Sequence, residues 1–149
     1  MGTRSRIAVM HGDNCKSVYC HWDGYLEHNG RILQENYDSA KANHLVALGD
    51  MSSLGTKIEI PDGVEHSFEK PAEGITVFYG RDRGESDGEF KTDGTFEAFV
   101  ERVEDCCGEW YYIMKDGVWY VGNVYQRDTK FYKKLVVLSE ALEAVKETV

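Results

Sequence analysis

The stretch GEWYYIMKDGVWYVGNV, residues 108–124, constrains the fold more than any other part of this chain. Two runs of aromatic and β-branched residues flank Asp116-Gly117. That dipeptide suits a two-residue turn whose central positions both take positive φ, so the segment predicts a β-hairpin. Side chains alternate along a strand, and here both faces of the hairpin carry aromatic groups. Either the hairpin lies inside a sheet with both faces packed, or one aromatic face forms an interface anchored by Trp110, Tyr111, Tyr112, Trp119, Tyr120 and Tyr125.

A second pair of strands is expected at the N-terminus. Ile7 and Val9 alternate with Arg6, Ala8 and Met10, His11-Gly12-Asp13-Asn14 supplies a turn, and VYCHWD resumes the alternation. If Ile7, Val9, Val18, Cys20 and Trp22 face the core, then Arg4, Arg6, Tyr19, His21 and Asp23 share the other side. Residues 29–50 look helical in two segments meeting near Asp38, with Gly49 as a C-terminal stop. Residues 51–74 carry both prolines and predict loops with a short strand. ITVFYG, residues 75–80, is a continuous apolar run that predicts a central strand, followed by a polar, Gly-rich loop over 81–94. TFEAFVERVEDC places Phe96, Phe99, Val100 and Val103 on one helical stripe behind a Thr95 N-cap. The last twenty residues predict a helix with Phe131, Leu135, Leu138, Leu142 and Val145 on its apolar side.

This order of elements, with no repeat or linker, predicts one α+β domain over residues 1–149: a mainly antiparallel sheet built from the N-terminal hairpin, the central strand and the C-terminal hairpin, with helices on one face. A chain of 149 residues buries a sizeable core without disulfides or metals. The formal net charge of −9 opposes nonspecific binding to nucleic acid or anionic membrane, where cations must neutralise phosphates. The N-terminus has no apolar stretch of signal-peptide length, so Cys15, Cys20, Cys106 and Cys107 are expected as reduced thiols in a cytoplasm.

The blocks TRSRIAV, VYCHWDGY, GRILQENY, LGDMSSLG and FYGRDRGE, in this order, resemble a family of small uncharacterised proteins encoded by tailed, T-even-like bacteriophages. The resemblance covers the first half of the chain, to about Glu85. It implies a phage accessory protein acting in the cytoplasm of the infected bacterial cell, and it transfers no catalytic residues.

Chemistry must therefore come from the residues. Cys20 is a nucleophile only if His21 or His66 serves as its base, with Asp23 orienting that base. Strand alternation turns Cys20 and His21 to opposite faces, which favours Cys20 as core packing. His11, Cys15, Cys20 and His21 match no zinc spacing, and Asp23, Glu27, Asp50 and Asp82 match no calcium loop, so no metal and no cofactor are expected. A polar binding surface is the remaining candidate. Arg4 and Arg6 alternate onto the face that carries Tyr19, His21 and Asp23, while Arg81, Asp82 and Arg83 follow the expected central strand. Guanidinium groups suit phosphate or carboxylate, although salt bridges on an acidic protein account for these arginines more readily. The expected function is noncatalytic binding of a host protein or an anionic small molecule, with possible partners excluding nucleic acid and membrane. The alternative is a small hydrolase or transferase using Cys20 or His21 with Asp23 and an arginine.

Overall fold

The computed structural model describes residues 3–85 and 88–147, with side chains to residue 144. Its strands are β1 (Ser5–His11), β2 (Asn14–Cys20), β3 (Met51–Ser53), β4 (Val77–Phe78), β5 (Lys91–Asp93), β6 (Trp110–Lys115), β7 (Val118–Asn123) and β8 (Val136–Val137). Its α-helices are α1 (Arg31–Asn36), α2 (Ser39–Ala47), α3 (Tyr79–Arg83), α4 (Phe96–Asp105) and α5 (Leu138–Glu147), with a π-helical turn at Leu26–Gly30.

The fold is α+β, as the sequence predicts, and one sheet runs in the order β4-β3-β2-β1-β6-β7-β8, with β5 beside β2. Both hairpins form. β1 and β2 pair from Ser5↔Cys20 to His11↔Asn14 around Gly12-Asp13, and β6 and β7 pair around Asp116-Gly117. Asp116 and Gly117 both take positive φ, 52° and 80°, the conformation that makes this dipeptide the natural turn here. The hairpins join through a parallel β1–β6 pair, and a parallel bridge links β2 to β3; the other pairings are antiparallel.

Two cores follow from the pleat. One face carries Ile7, Val9, Val18, Cys20, Trp110, Tyr112, Trp119 and Val121 beneath the π turn, α1, α2 and α5. The other carries Ala8, Cys15, Tyr111 and Ile113 beneath Phe99, Val100 and Val103 of α4. The expectation of helices on one face thus holds for α1, α2 and α5, whereas α4 covers the opposite face. The reason is that β1 and β6 are apolar on both sides, so each face needs cover. The same arrangement settles the hairpin aromatics: Tyr111 packs edge-on against Phe99, Trp110 and Tyr112 lie in the larger core, and of the six only Tyr125 is strongly exposed.

Local terminators fall where residue chemistry puts them. Asp38 caps α2 by accepting Lys41 N–H at 2.8 Å, and Thr95 caps α4 by accepting Ala98 N–H at 3.1 Å. Three expectations need correction. ITVFYG does not form the central strand: only Val77–Phe78 pairs, at the sheet edge, while β1 holds the centre. Its apolar residues are buried all the same, because loop residues Leu54 and Ile58 are buried in the core at that end. The polar segment after it opens with helix α3, stopped by Gly84 at φ 78°. The C-terminal helix begins at Leu138 instead of near Lys130, because Val136–Val137 first pair with Tyr120 and Val121 of β7. Val145, expected on its stripe, lies outside the described side chains.

Candidate functional site

Helix α4 is shorter than the sheet face it covers. Its apolar residues sit over Ala8, Cys15, Tyr111 and Ile113, and it ends at Asp105 with Cys106 as C-cap. Past that end the same face continues with polar side chains. Arg6 lies opposite Tyr19 in the β1–β2 register, so the two share this face. The strand alignment extends one step further: His21 N–H and Trp22 N–H donate to Met51 O and Ser52 O at 3.2 and 2.9 Å. His21 joins the row through its contact with Tyr19, and the charge of Arg4 acts on both rings, on the side the alternation predicts.

Tyr19 and His21 are joined at 2.8 Å, hydroxyl to Nδ1, a contact that a neutral imidazole makes in either tautomer. Partial burial and the positive Arg4 guanidinium both lower the His21 pKa, so the ring is neutral at pH 7. Burial pushes the Tyr19 phenol up to about 12, so it stays protonated. Tyr19 N–H is held at 2.8 Å by the Asp50 carboxylate. Burial raises the Asp50 pKa, and the Tyr19 N–H, Arg6 and Lys91 partly oppose that rise.

Arg6 is the unusual member. It is only 4% exposed, yet no carboxylate among the described residues forms an ion pair with it. Its Nε donates to Ser17 Oγ at 2.9 Å and its Nη2 to Ser17 O at 3.0 Å. The guanidinium lines a cleft of about 460 Å³ shared with Lys91, Asp93, Glu101, Arg102 and Cys106. Within that cleft Arg102 and Asp93 neutralise each other through two hydrogen bonds of 2.8 and 3.0 Å.

The other expected residues do not join this row. Asp23 sits exposed in the turn after β2, at φ 56°, and makes no ion pair with Arg4 or Arg6. Its turn is fixed by Gly24, where an added Cβ would lie 2.7 Å from Ser5 Cβ and 2.9 Å from Thr3 O. Trp22, expected in the core, is 45% exposed, because β2 ends at Cys20 and the chain turns outward; His21 packs edge-on to it at 4.7 Å.

Arg81, Asp82 and Arg83 lie on α3 and have structural partners. Asp82, with a side chain 2% exposed, accepts Phe78 N–H at 2.8 Å and binds the Arg81 guanidinium at 2.9 and 3.2 Å. Arg81 also reaches the Ile58 and Thr76 carbonyls and stacks over Phe78. Burial raises the Asp82 carboxyl, but Arg81, the Phe78 N–H and His66 together outweigh it and hold the pKa below the ordinary range. Arg83 pairs with Glu85 at 3.5 Å and lies over Phe68. The four arginines therefore do not converge: α3 uses two of them to fasten the 57–76 loop, a pairing that the acidic composition favoured.

Neither nucleophile arrangement assembles. Cys20 is fully buried, its sulfur contacted by Asn29 Nδ2 at 3.3 Å and Trp22 O at 3.5 Å, and burial pushes the thiol up to about 12. No imidazole lies within hydrogen-bond reach of it among the described residues, and His66 Nδ1 instead accepts Ala72 N–H. Among the described residues no three His, Cys, Asp or Glu side chains gather as a metal site. No described helix is long and apolar enough to cross a membrane.

A larger hollow, about 880 Å³, opens between the α1–α2 junction and the β6–β7 turn. Its charged and indole groups are engaged: Lys41 Nζ donates to Asn36 O and Thr56 O, Trp119 Nε1 to Tyr37 O, Glu35 pairs with Arg31, and Asp38 accepts Lys41 N–H. The Arg6 face is smaller but has free donors. The sequence gives no sign that Lys91, Asp93, Arg102 and Cys106 meet Arg6, because β5 and α4 reach it only through tertiary pairing, β5 against Cys15–Ser17. No protein-family model, no curated protein and no solved structure matches this chain.

Proposed function

We propose that the protein is a noncatalytic binding protein, a phage accessory protein acting in the cytoplasm of the infected cell, whose working surface is the uncovered end of the α4 face. Arg4, Arg6, Tyr19 and His21 form this surface, and it captures an anionic group of a host-derived small molecule or host protein. One observation carries the reading: Arg6 is a buried guanidinium beside an open cleft that makes no salt bridge among the described residues and feels the Asp50 carboxylate only at longer range. Burying a cation unpaired is costly, and a bound anion removes that cost. The neutral His21, the protonated Tyr19 and exposed Trp22 supply hydrogen-bonding and stacking groups next to it. The inert environment of Cys20 supports binding over covalent chemistry.

The test is affinity capture from phage-infected cells, with mass spectrometry of captured proteins and extracted small molecules, using the natural chain and an Arg4→Glu/His21→Ala variant. The expected result is a partner or metabolite held by the natural chain and lost from the variant at an unchanged thermal midpoint. Equal capture by both proteins overturns the reading.

A further inference from the structure

The chemistry around Arg6 narrows the ligand further. A guanidinium offers five N–H donors in one plane. Ser17 occupies only the Nε side of the fork, through one bond from Nε and one from Nη2, so the Nη1/Nη2 end is without a partner among the described residues. Two N–H groups side by side at that end match two oxygens of one oxyanion. Ser17 is itself fully buried, so it holds the fork in a fixed orientation.

The cleft adds a second cation and a limit. Lys91, exposed on β5, lines it beside Arg6, and the charge of Arg102 is already neutralised by Asp93. Glu101 and Asp105 line it from α4, both on exposed residues. A single compact anion reaches Arg6 and Lys91, whereas a polyanion must bring further negative charge against those two carboxylates. The net charge of −9 acts in the same direction.

Resting on the reading that this face captures anions, we propose that the Arg6 cleft is a phosphate subsite: it takes one phosphate group, bound by the Nη1/Nη2 end of Arg6 and by Lys91, from a ligand whose remainder is neutral or cationic. Tetrahedral oxyanion geometry allows two oxygens to face the fork while a third faces the Lys91 ammonium. Tyr19 and His21, on the adjoining part of the same sheet face, are placed to meet the remainder of that ligand.

The experiment titrates inorganic phosphate into the full chain at low ionic strength while following the Arg6 Nε–H signal and the Lys91 and Cys106 amides by NMR. A saturable shift at these three places is expected. Lys91→Ala, an exposed change, should weaken phosphate several-fold. Arg6→Lys, which keeps charge but loses the fork, should weaken it more. Pyrophosphate should bind no more tightly than phosphate, since Glu101 and Asp105 oppose its extra charge. Absence of a saturable shift through millimolar phosphate overturns the subsite, as does a shift unchanged in Lys91→Ala; either result leaves capture from infected cells to stand or fall separately. If Arg6→Lys fails to fold, the Arg6 signal in the natural chain and the Lys91→Ala comparison still decide the matter. Pyrophosphate binding much tighter than phosphate also overturns the proposal of a one-phosphate site.

Discussion

The two faces of the sheet are covered to different extents. One lies beneath α1, α2, α5 and the π turn and buries an unbroken apolar layer from Met51 to Leu142. The other lies beneath α4 alone, whose apolar side ends at Val103; Arg6 lines a cleft beside that helix, and Arg4, Tyr19 and His21 continue outward from it. The first face therefore carries most of the stability, because buried apolar area is the dominant favourable contribution to folding. The second is free to present polar groups, provided the strands beneath them are held from the far side. Tyr19 and His21, both half-buried, are held there by the Asp50 carboxylate on the Tyr19 N–H and by their own hydroxyl–imidazole contact.

The difference between the faces can be broken most severely from the packed side. Tyr112 is fully buried there and donates its hydroxyl to Gly24 O at 2.7 Å. Tyr112→Ala should destabilise the protein by about 4 kcal/mol in urea denaturation, since it combines a large cavity with an unpaired carbonyl. A loss below about 1 kcal/mol contradicts the assignment of stability to this face.

Arg81→Ala comes next. It removes the main partner of the buried Asp82 carboxylate and should lower stability by about 2 kcal/mol. It also carries a pH signature. A carboxyl whose pKa is lowered by folding adds stability above its unfolded value, and that stability is lost as pH falls through the folded pKa. The acid limb of the natural protein should therefore be steeper than that of Arg81→Ala, measured as the denaturation midpoint against pH. A nearly unchanged midpoint in Arg81→Ala sets the arginine free for ligand and reverses its structural assignment.

Thr95→Ala removes the N-cap of α4 and should cost about 1 kcal/mol, the ordinary worth of such a cap. Phosphate affinity should fall less than in Lys91→Ala, because Arg6 and Lys91 stand on strands while the cap acts only on the α4 side of the cleft, at Ala98.

The smallest effects belong to the bare row. Tyr19→Phe and His21→Ala should each change stability by less than about 0.5 kcal/mol, as substitutions away from packed positions do. Because folding lowers the His21 pKa, the unfolded chain binds more protons below pH 6.5, so the natural protein loses stability as pH falls through that value. His21→Ala should flatten this part of the curve; a steeper slope in the variant contradicts the direction of the shift.

Much of this architecture was legible because it is local. Asp116-Gly117, the helix break near Asp38, the Thr95 cap and the period-2 pattern of Ile7, Val9, Val18 and Cys20 each act within a few residues, and all four form as expected. The same alternation placed Arg6 with Tyr19, and it set Arg4 close enough to His21 for its charge to act on the ring. What failed depends on distant contacts. Trp22 leaves the core because the strand stops two residues earlier, and ITVFYG lies at an edge because β1 pairs in parallel with β6. The pairing of Arg81 with Asp82 was visible as an alternative, but the buried carbonyls of Ile58 and Thr76 that fasten Arg81 were not. Lys91 and Cys106 had no signal at all, since β5 meets β2 across more than seventy residues of chain.

The division of labour between the faces rests on Arg6 being held for a ligand, and the Arg6 side chain reports on it directly. Its Nε–H resonance should shift saturably with inorganic phosphate and less readily in Lys91→Ala, while the thermal midpoint of that variant stays at the natural value. An Arg6 resonance indifferent to phosphate, or a Lys91→Ala protein that binds as well as the natural chain, contradicts the account.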